Sequence, residues 1–150
     1  NSIVVDGVSF ELKQFHFHLP SENLINGKSF PMEAHLVHAD KDGHLAVVAV
    51  MVTPGAASSV LSKAWAQMPQ QGETKPMTAD VSALDILPAQ RDYYRFNGSL
   101  TTPPCSEGVR WLVMKQPVSA SQAQINQFLQ VMHHHNNRPV QPVNARVILQ

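Results

Sequence analysis

Leu45-Ala46-Val47-Val48-Ala49-Val50-Met51-Val52 is an unbroken apolar run of strand length, closed by Pro54-Gly55. A run this short, rich in β-branched residues and bounded by breakers, predicts a strand buried on both faces, hence a central strand of a sheet. Asp42-Gly43 is a turn signal that joins it, as a hairpin, to a strand over Phe30–His38. Other strand-like runs are Ser2–Val5, Val8–His18, Tyr93–Phe96, Val109–Met114 and Ala145–Leu149. Ser58–Met68 sets Val60, Leu61, Ala64, Trp65 and Met68 on a helical face. A second helix follows Pro117. Ser119-x-x-Gln122 and Ser121-x-x-Gln124 both fit a capping box, and Ile125, Phe128, Leu129 and Met132 form its expected buried face. Gln70–Lys75 reads as loop, and Val81, Leu84, Ile86 and Leu87 as short apolar contacts before Pro88. Many strands, few helices and little sign of βαβ units predict an α+β chain, mainly β, built on a mixed sheet with peripheral helices. The 150 residues suit a single domain over 1–150.

The chemistry sits on two of these strands. Gln14-Phe15-His16-Phe17-His18 alternates, and side chains of a strand alternate between its faces. His16 and His18 therefore share one face, about 6.6 Å apart along the strand, while Phe15 and Phe17 point into a core. In Met32-Glu33-Ala34-His35-Leu36-Val37-His38 the residues Glu33, His35 and Val37 share a face. If the strands pair, three imidazoles meet and leave a fourth metal position open, as catalytic zinc sites do. Zinc suits all-imidazole ligation best, with cobalt or iron as substitutes. An H-x-H pair on a strand is common and decides nothing alone. Its companions add weight: ligating histidines hand their second N–H to a neighbouring acceptor, and Gln14 and Glu33 each lie two residues before a histidine, on its face. His38 falls on the opposite face from His35, His44 lies in a turn, and His133-His134-His135 caps a helix end.

Charge is balanced, with 11 basic and 11 acidic residues. That balance argues against nucleic acid and against an anionic membrane surface as partners. No apolar run reaches the ~18 residues of a membrane-spanning helix.

Further motifs follow in order: Ser21-Glu22, then Ser99-Leu100-Thr101-Thr102-Pro103-Pro104-Cys105, Glu107-Gly108-Val109-Arg110-Trp111, and Asn136-Asn137-Arg138-Pro139-Val140-Gln141-Pro142. With the histidine segments they closely resemble the α-class carbonic anhydrases, the bacterial branch in particular, from about Ser9 to the C-terminus. The resemblance implies a large, mostly antiparallel central sheet and reversible hydration of carbon dioxide to bicarbonate through a zinc-bound hydroxide, with esterase side activity and inhibition by sulfonamides. It implies His16, His18 and His35 as Zn2+ ligands, and Thr101, its proton committed to Glu22, as the residue orienting the nucleophile. The carbonyl of Asn136 would orient His18, and Val37, Val47, Leu100, Thr102, Val109 and Trp111 would line the substrate pocket. Asn137 departs from the aromatic residue common at its position.

Family members are longer, and the histidine motif begins here at residue 14. The expectation is a domain lacking its N-terminal part, with no match to the family's proton-shuttle histidine, and a complementing segment or a homodimer covering exposed edges. The single Cys105 stands where secreted and periplasmic relatives form a disulfide to their N-terminal region, which implies a periplasmic or secreted location. Two other readings stay open. His16-x-His18-x-x-x-Glu22 fits a cupin metal motif locally, although its flanking glycines are missing. An inert fragment or a binding module of the same family would share most of these residues.

Overall fold

The computed structural model describes residues 1–150. The chain runs through β1 (Ser2–Val5), β2 (Val8–His18), β3 (Met32–Ala39), β4 (Leu45–Pro54), α1 (Ser59–Ala64), a 3-10 turn (Ala83–Ile86), β5 (Tyr93–Ser99), β6 (Glu107–Met114), β7 (Val118–Ala120) and α2 (Gln122–Met132). All seven strands form one sheet in the order β1-β2-β3-β4-β6-β5, with β7 added beside β4. The apolar run lies mid-sheet, as its composition requires. β4 pairs antiparallel with β3 along one side; along the other it pairs parallel with β6 over Ala46–Ala49 and with β7 over Val52–Pro54.

Alternation gives the sheet two different faces. Ala46, Val48, Val50 and Val52 of β4 enter the main core with Ala34, Leu36, Phe17, Leu112 and Met114, under Val60 and Leu61 of α1, Trp65 that caps it, and Ile125 of α2. Val47, Ala49 and Met51 point the other way, into a smaller cluster with Val109, Trp111 and Val113. Burying each valine or leucine side chain contributes about 1.5–3 kcal/mol, so β4 stabilises both layers at once. In β2 the alternation is broken once: Leu12 pairs with His38 but Gln14 with Val37, so Lys13 is the extra residue of a bulge. The bulge lets Phe10 and Leu12 before it, and Phe15 and Phe17 after it, all pack on the main core. The sheet curls, and Asp6 in the β1–β2 turn pairs with the Arg95 guanidinium of β5.

Several elements differ from expectation. Ala145–Leu149 is not a strand: Asn144 and Ala145 take positive φ in a turn, and a single bridge, Arg95 to Leu149, remains. β3 starts at Met32 because Phe30 turns its N–H to the Ser21 hydroxyl. α1 stops at Ala64, with Trp65 N–H closing on the Leu61 carbonyl. Ser119 belongs to the unpredicted β7, so the capping box is Ser121 with Gln124. Leu129 and Leu84 are exposed rather than buried.

Candidate metal centre

β2 and β3 pair so that His16 stands opposite His35 and His18 opposite Glu33. The three imidazoles converge: ring centroids lie 4.9 Å apart for His16 and His18, 5.3 Å for His16 and His35, and 4.6 Å for His18 and His35. One nitrogen from each ring lies within 4.8 Å of the others.

The second nitrogen of each ring is engaged elsewhere. His16 Nδ1 meets Gln14 Oε1 at 2.8 Å, and His18 Nδ1 meets the Asn136 carbonyl at 3.1 Å. His35 Nε2 meets Glu33 Oε1 at 3.0 Å. The nitrogens left over are Nε2 of His16, Nε2 of His18 and Nδ1 of His35. His18 Nε2 is buried with no hydrogen-bond partner. A buried, unpaired ring nitrogen costs free energy, and a cation at this point relieves it. Burial, with the neighbouring His35 and His18, pushes His16 down to about 4. Burial and His35 also lower His18, against the opposing pull of Glu22 and Asn136. Both are neutral near pH 7, the form that donates a lone pair to a metal.

Glu33 is fully buried and accepts on both oxygens: Oε2 from Glu22 N at 2.6 Å and Asn23 N at 2.9 Å, Oε1 from Asn23 Nδ2 at 2.6 Å as well as from His35. Burial pushes its carboxyl up, but the hydrogen bonds from His35 and Asn23 outweigh that and hold it below the usual range. Asn136 uses its side chain too. Its Oδ1 accepts from Leu19 N at 2.8 Å and its Nδ2 donates to the Phe17 carbonyl at 2.9 Å, clasping the backbone on either side of His18.

Glu22 is buried. Its Oε1 accepts from Arg138 N at 2.6 Å, while Oε2 lies 3.9 Å from His35 Nδ1 and has no hydrogen bond. Thr101 borders the same cavity, of about 470 Å3, as Glu22, Trp111 and Arg138. The Thr101 hydroxyl is not hydrogen-bonded to Glu22. Val47, Val109 and Trp111 form the cluster beside the histidines, with Val37 and Leu100 packed against it; Thr102 is exposed in its loop. Trp111 sets its indole edge-on to His35, centroids 4.9 Å apart. Asn23 and the Arg138 backbone were not foreseen. Asn23 directly follows Ser21-Glu22, a side-chain amide next to a carboxylate, and that is the only signal for it. A backbone N–H carries none.

The remaining histidines lie away from this point. His38 is buried and bonded to the Leu36 carbonyl. His44 is held to Asp40 in the β3–β4 turn, and His133 takes a left-handed conformation that caps α2.

Three imidazoles from two paired strands, each backed by its own acceptor and flanked by an apolar wall, make a site that can hold one metal ion and leave it an open position. The family profile described as eukaryotic-type carbonic anhydrase matches residues 2–150. The chain is 52% identical over 150 residues to the carbonic anhydrase of Pectobacterium atrosepticum, covering 99% of this chain and 62% of that protein. The α-carbonic anhydrase of Thermovibrio ammonificans, solved with the inhibitor sulfanilamide, superposes with a TM-score of 0.98 at 52% identity, over 99% of this chain and 66% of that one. The Photobacterium profundum α-carbonic anhydrase gives 0.97 at 54% identity, over 100% of this chain and 69% of that one. The chain belongs to the α-class carbonic anhydrase family and spans 62% of the length of its Pectobacterium relative.

Proposed function

We propose that this chain binds one Zn2+ and reversibly hydrates carbon dioxide to bicarbonate and a proton. The observation that carries the reading is the set of three free imidazole nitrogens, one of them buried and orphaned, beside an apolar wall. His16 Nε2, His18 Nε2 and His35 Nδ1 would hold the metal. A bound zinc ion acidifies water and so supplies a nucleophile at neutral pH.

The protein's own groups do the rest. Gln14, Asn136 and Glu33 hold the three rings by their far nitrogens, fixing tautomer and tilt. Glu22 presents a bare carboxylate oxygen with no donor of its own. In this reading it would accept a hydrogen bond from the Thr101 hydroxyl, so that Thr101 can only accept from the nucleophile, which is left with a lone pair aimed at the substrate. Val37, Val47, Leu100, Val109 and Trp111 offer an unhydrated surface suited to an apolar triatomic, and exposed Thr102 is assigned to substrate binding by the family resemblance alone. The same nucleophile would cleave activated esters. Sulfonamides would bind at this point, as one does in the Thermovibrio complex. Cys105, unpaired within this chain, is read as half of a disulfide formed in a periplasmic or secreted setting.

The test is zinc content and stopped-flow hydration, with and without a sulfonamide, together with Glu22→Ala. One zinc per chain, inhibitable hydration, and a Glu22→Ala variant that keeps zinc but loses rate are expected. No bound zinc would overturn the reading. Loss of zinc in Glu22→Ala would instead make Glu22 a ligand.

A further inference from the structure

Gly98 is a buried residue of β5, opposite Val109 of β6 and just before the irregularity at Ser99. Its backbone is not left-handed, so an L side chain is conformationally allowed there. What the position lacks is room. A Cβ would sit 3.0 Å from Phe96 Cε2, 3.0 Å from Trp111 Cδ1 and 3.2 Å from Trp111 Nε1. Phe96 and Trp111 stack over this stretch with their planes 6° apart. The indole N–H donates to the Ser99 carbonyl at 3.0 Å, so the ring is tied to the strand that carries the glycine. Phe96 is half-buried and has somewhere to go; Trp111 is 3% exposed and has not.

The indole also meets His35, with centroids 4.9 Å apart and planes at 74°. His35 has a single side-chain hydrogen bond, to Glu33. One such bond holds a ring nitrogen in place but leaves rotation about the bond axis to packing. Trp111 supplies that packing together with the rings of His16 and His18.

We propose that Gly98 is a positioning residue of the metal centre: its bare Cα lets the Trp111 indole lie against β5, where it sets the tilt of the His35 ring. The inference rests on the metal-site reading above. A methyl group at 98 forces a shift of a few tenths of an ångström in its neighbours. The indole then loosens its bond to Ser99 or presses on His35, and either movement alters the lone-pair direction of His35 Nδ1.

The experiment compares the chain with Gly98→Ala and with Gly55→Ala. Gly55 is the matched control, since its Cβ would meet Ser119 Cβ at 2.9 Å beside β7, outside the histidine site. Zinc affinity is read by chelator competition, ligand geometry by the visible bands of the cobalt(II) form, and stability by urea unfolding of the metal-free chain. Gly98→Ala is expected to weaken zinc about tenfold or more, in the range of lost supporting contacts at metal sites, and to shift the cobalt bands. Gly55→Ala is expected to lower the unfolding midpoint while keeping zinc affinity and the cobalt bands of the parent. Equal zinc loss in both variants, or an unchanged cobalt spectrum in Gly98→Ala, overturns the proposal. If Gly98→Ala does not fold, Trp111→Phe, which removes the Ser99 bond and shrinks the ring against His35, carries the test, and parental zinc affinity and cobalt bands there overturn it. A parent chain that binds no zinc would fail the metal-site reading itself, and is told apart because no variant is involved.

Discussion

Glu33 receives four hydrogen bonds and serves two groups at once, the ring of His35 and the backbone of Glu22 and Asn23. Glu33→Gln sets an amide NH2 against donors, leaving at least one of them unmet in a buried place. Zinc affinity is expected to fall about 10- to 100-fold, read by chelator competition; an unchanged affinity would show that His35 needs no anionic partner. His16 carries a pH dependence. Its pKa in the folded chain is about 4 against 6.5 for an ordinary histidine. The unfolded chain therefore binds more protons, and the metal-free protein is expected to be fully stable above about pH 6.5 and to lose stability as pH falls toward 4. Urea unfolding across that range checks the sign, and His16→Gln should flatten the slope. At this scale much of the site was legible. Gln14 and Glu33 declare themselves by standing two residues before a histidine on an alternating strand. Asn136 was visible only through a resemblance, because its bonds to Phe17, His18 and Leu19 span almost the whole chain.

Gln124 joins two elements. Its Oε1 accepts from Ser58 N and Ser121 N, the caps of α1 and α2, and its Nε2 donates to the Ser58 carbonyl and the Ser62 hydroxyl. Truncation strands those partners in a buried place, so Gln124→Ala is expected to cost roughly 2–3 kcal/mol in urea unfolding, while exposed Gln122→Ala stays within about 0.5 kcal/mol. The capping box was readable in Ser121-x-x-Gln124, but its second use, as a clasp to α1, was not. The β2 bulge was written in the spacing: Phe10 and Leu12 are two apart, Phe15 follows after three, then Phe17. β7 escaped notice because three residues carry too little pattern. Ala145–Leu149 misled because apolar residues without a long partner strand do not make a ladder.

At the scale of the molecule, the two strand-pairing directions decide the architecture. The antiparallel hairpin β3–β4 followed from the Asp42-Gly43 turn, and the β2–β3 pairing was an open condition across the 19–31 connection, but the parallel pairing of β4 with β6 joins segments some sixty residues apart in the chain and left no local trace. The cavity beside the site is open along β5, an edge strand, and Leu24, Val140, Val143 and Ile148 around it are 43–55% exposed. Apolar surface of this kind next to an edge strand that only the single Arg95–Leu149 bridge covers favours association. The isolated chain is expected to self-associate with rising concentration in sedimentation velocity, and an added extended peptide that pairs with β5 should suppress it. A strict monomer at every concentration would mean that the cavity rim is satisfied in solution.

β4 puts alternate residues to different work: Val48 and Val50 hold the main core, Val47 and Ala49 back the histidines. Selection can therefore edit the histidine site and the main core through interleaved letters of one short word. In a library covering Leu45–Val52, scored separately for cellular abundance and for zinc retention, the two profiles should oscillate out of phase with a period of two.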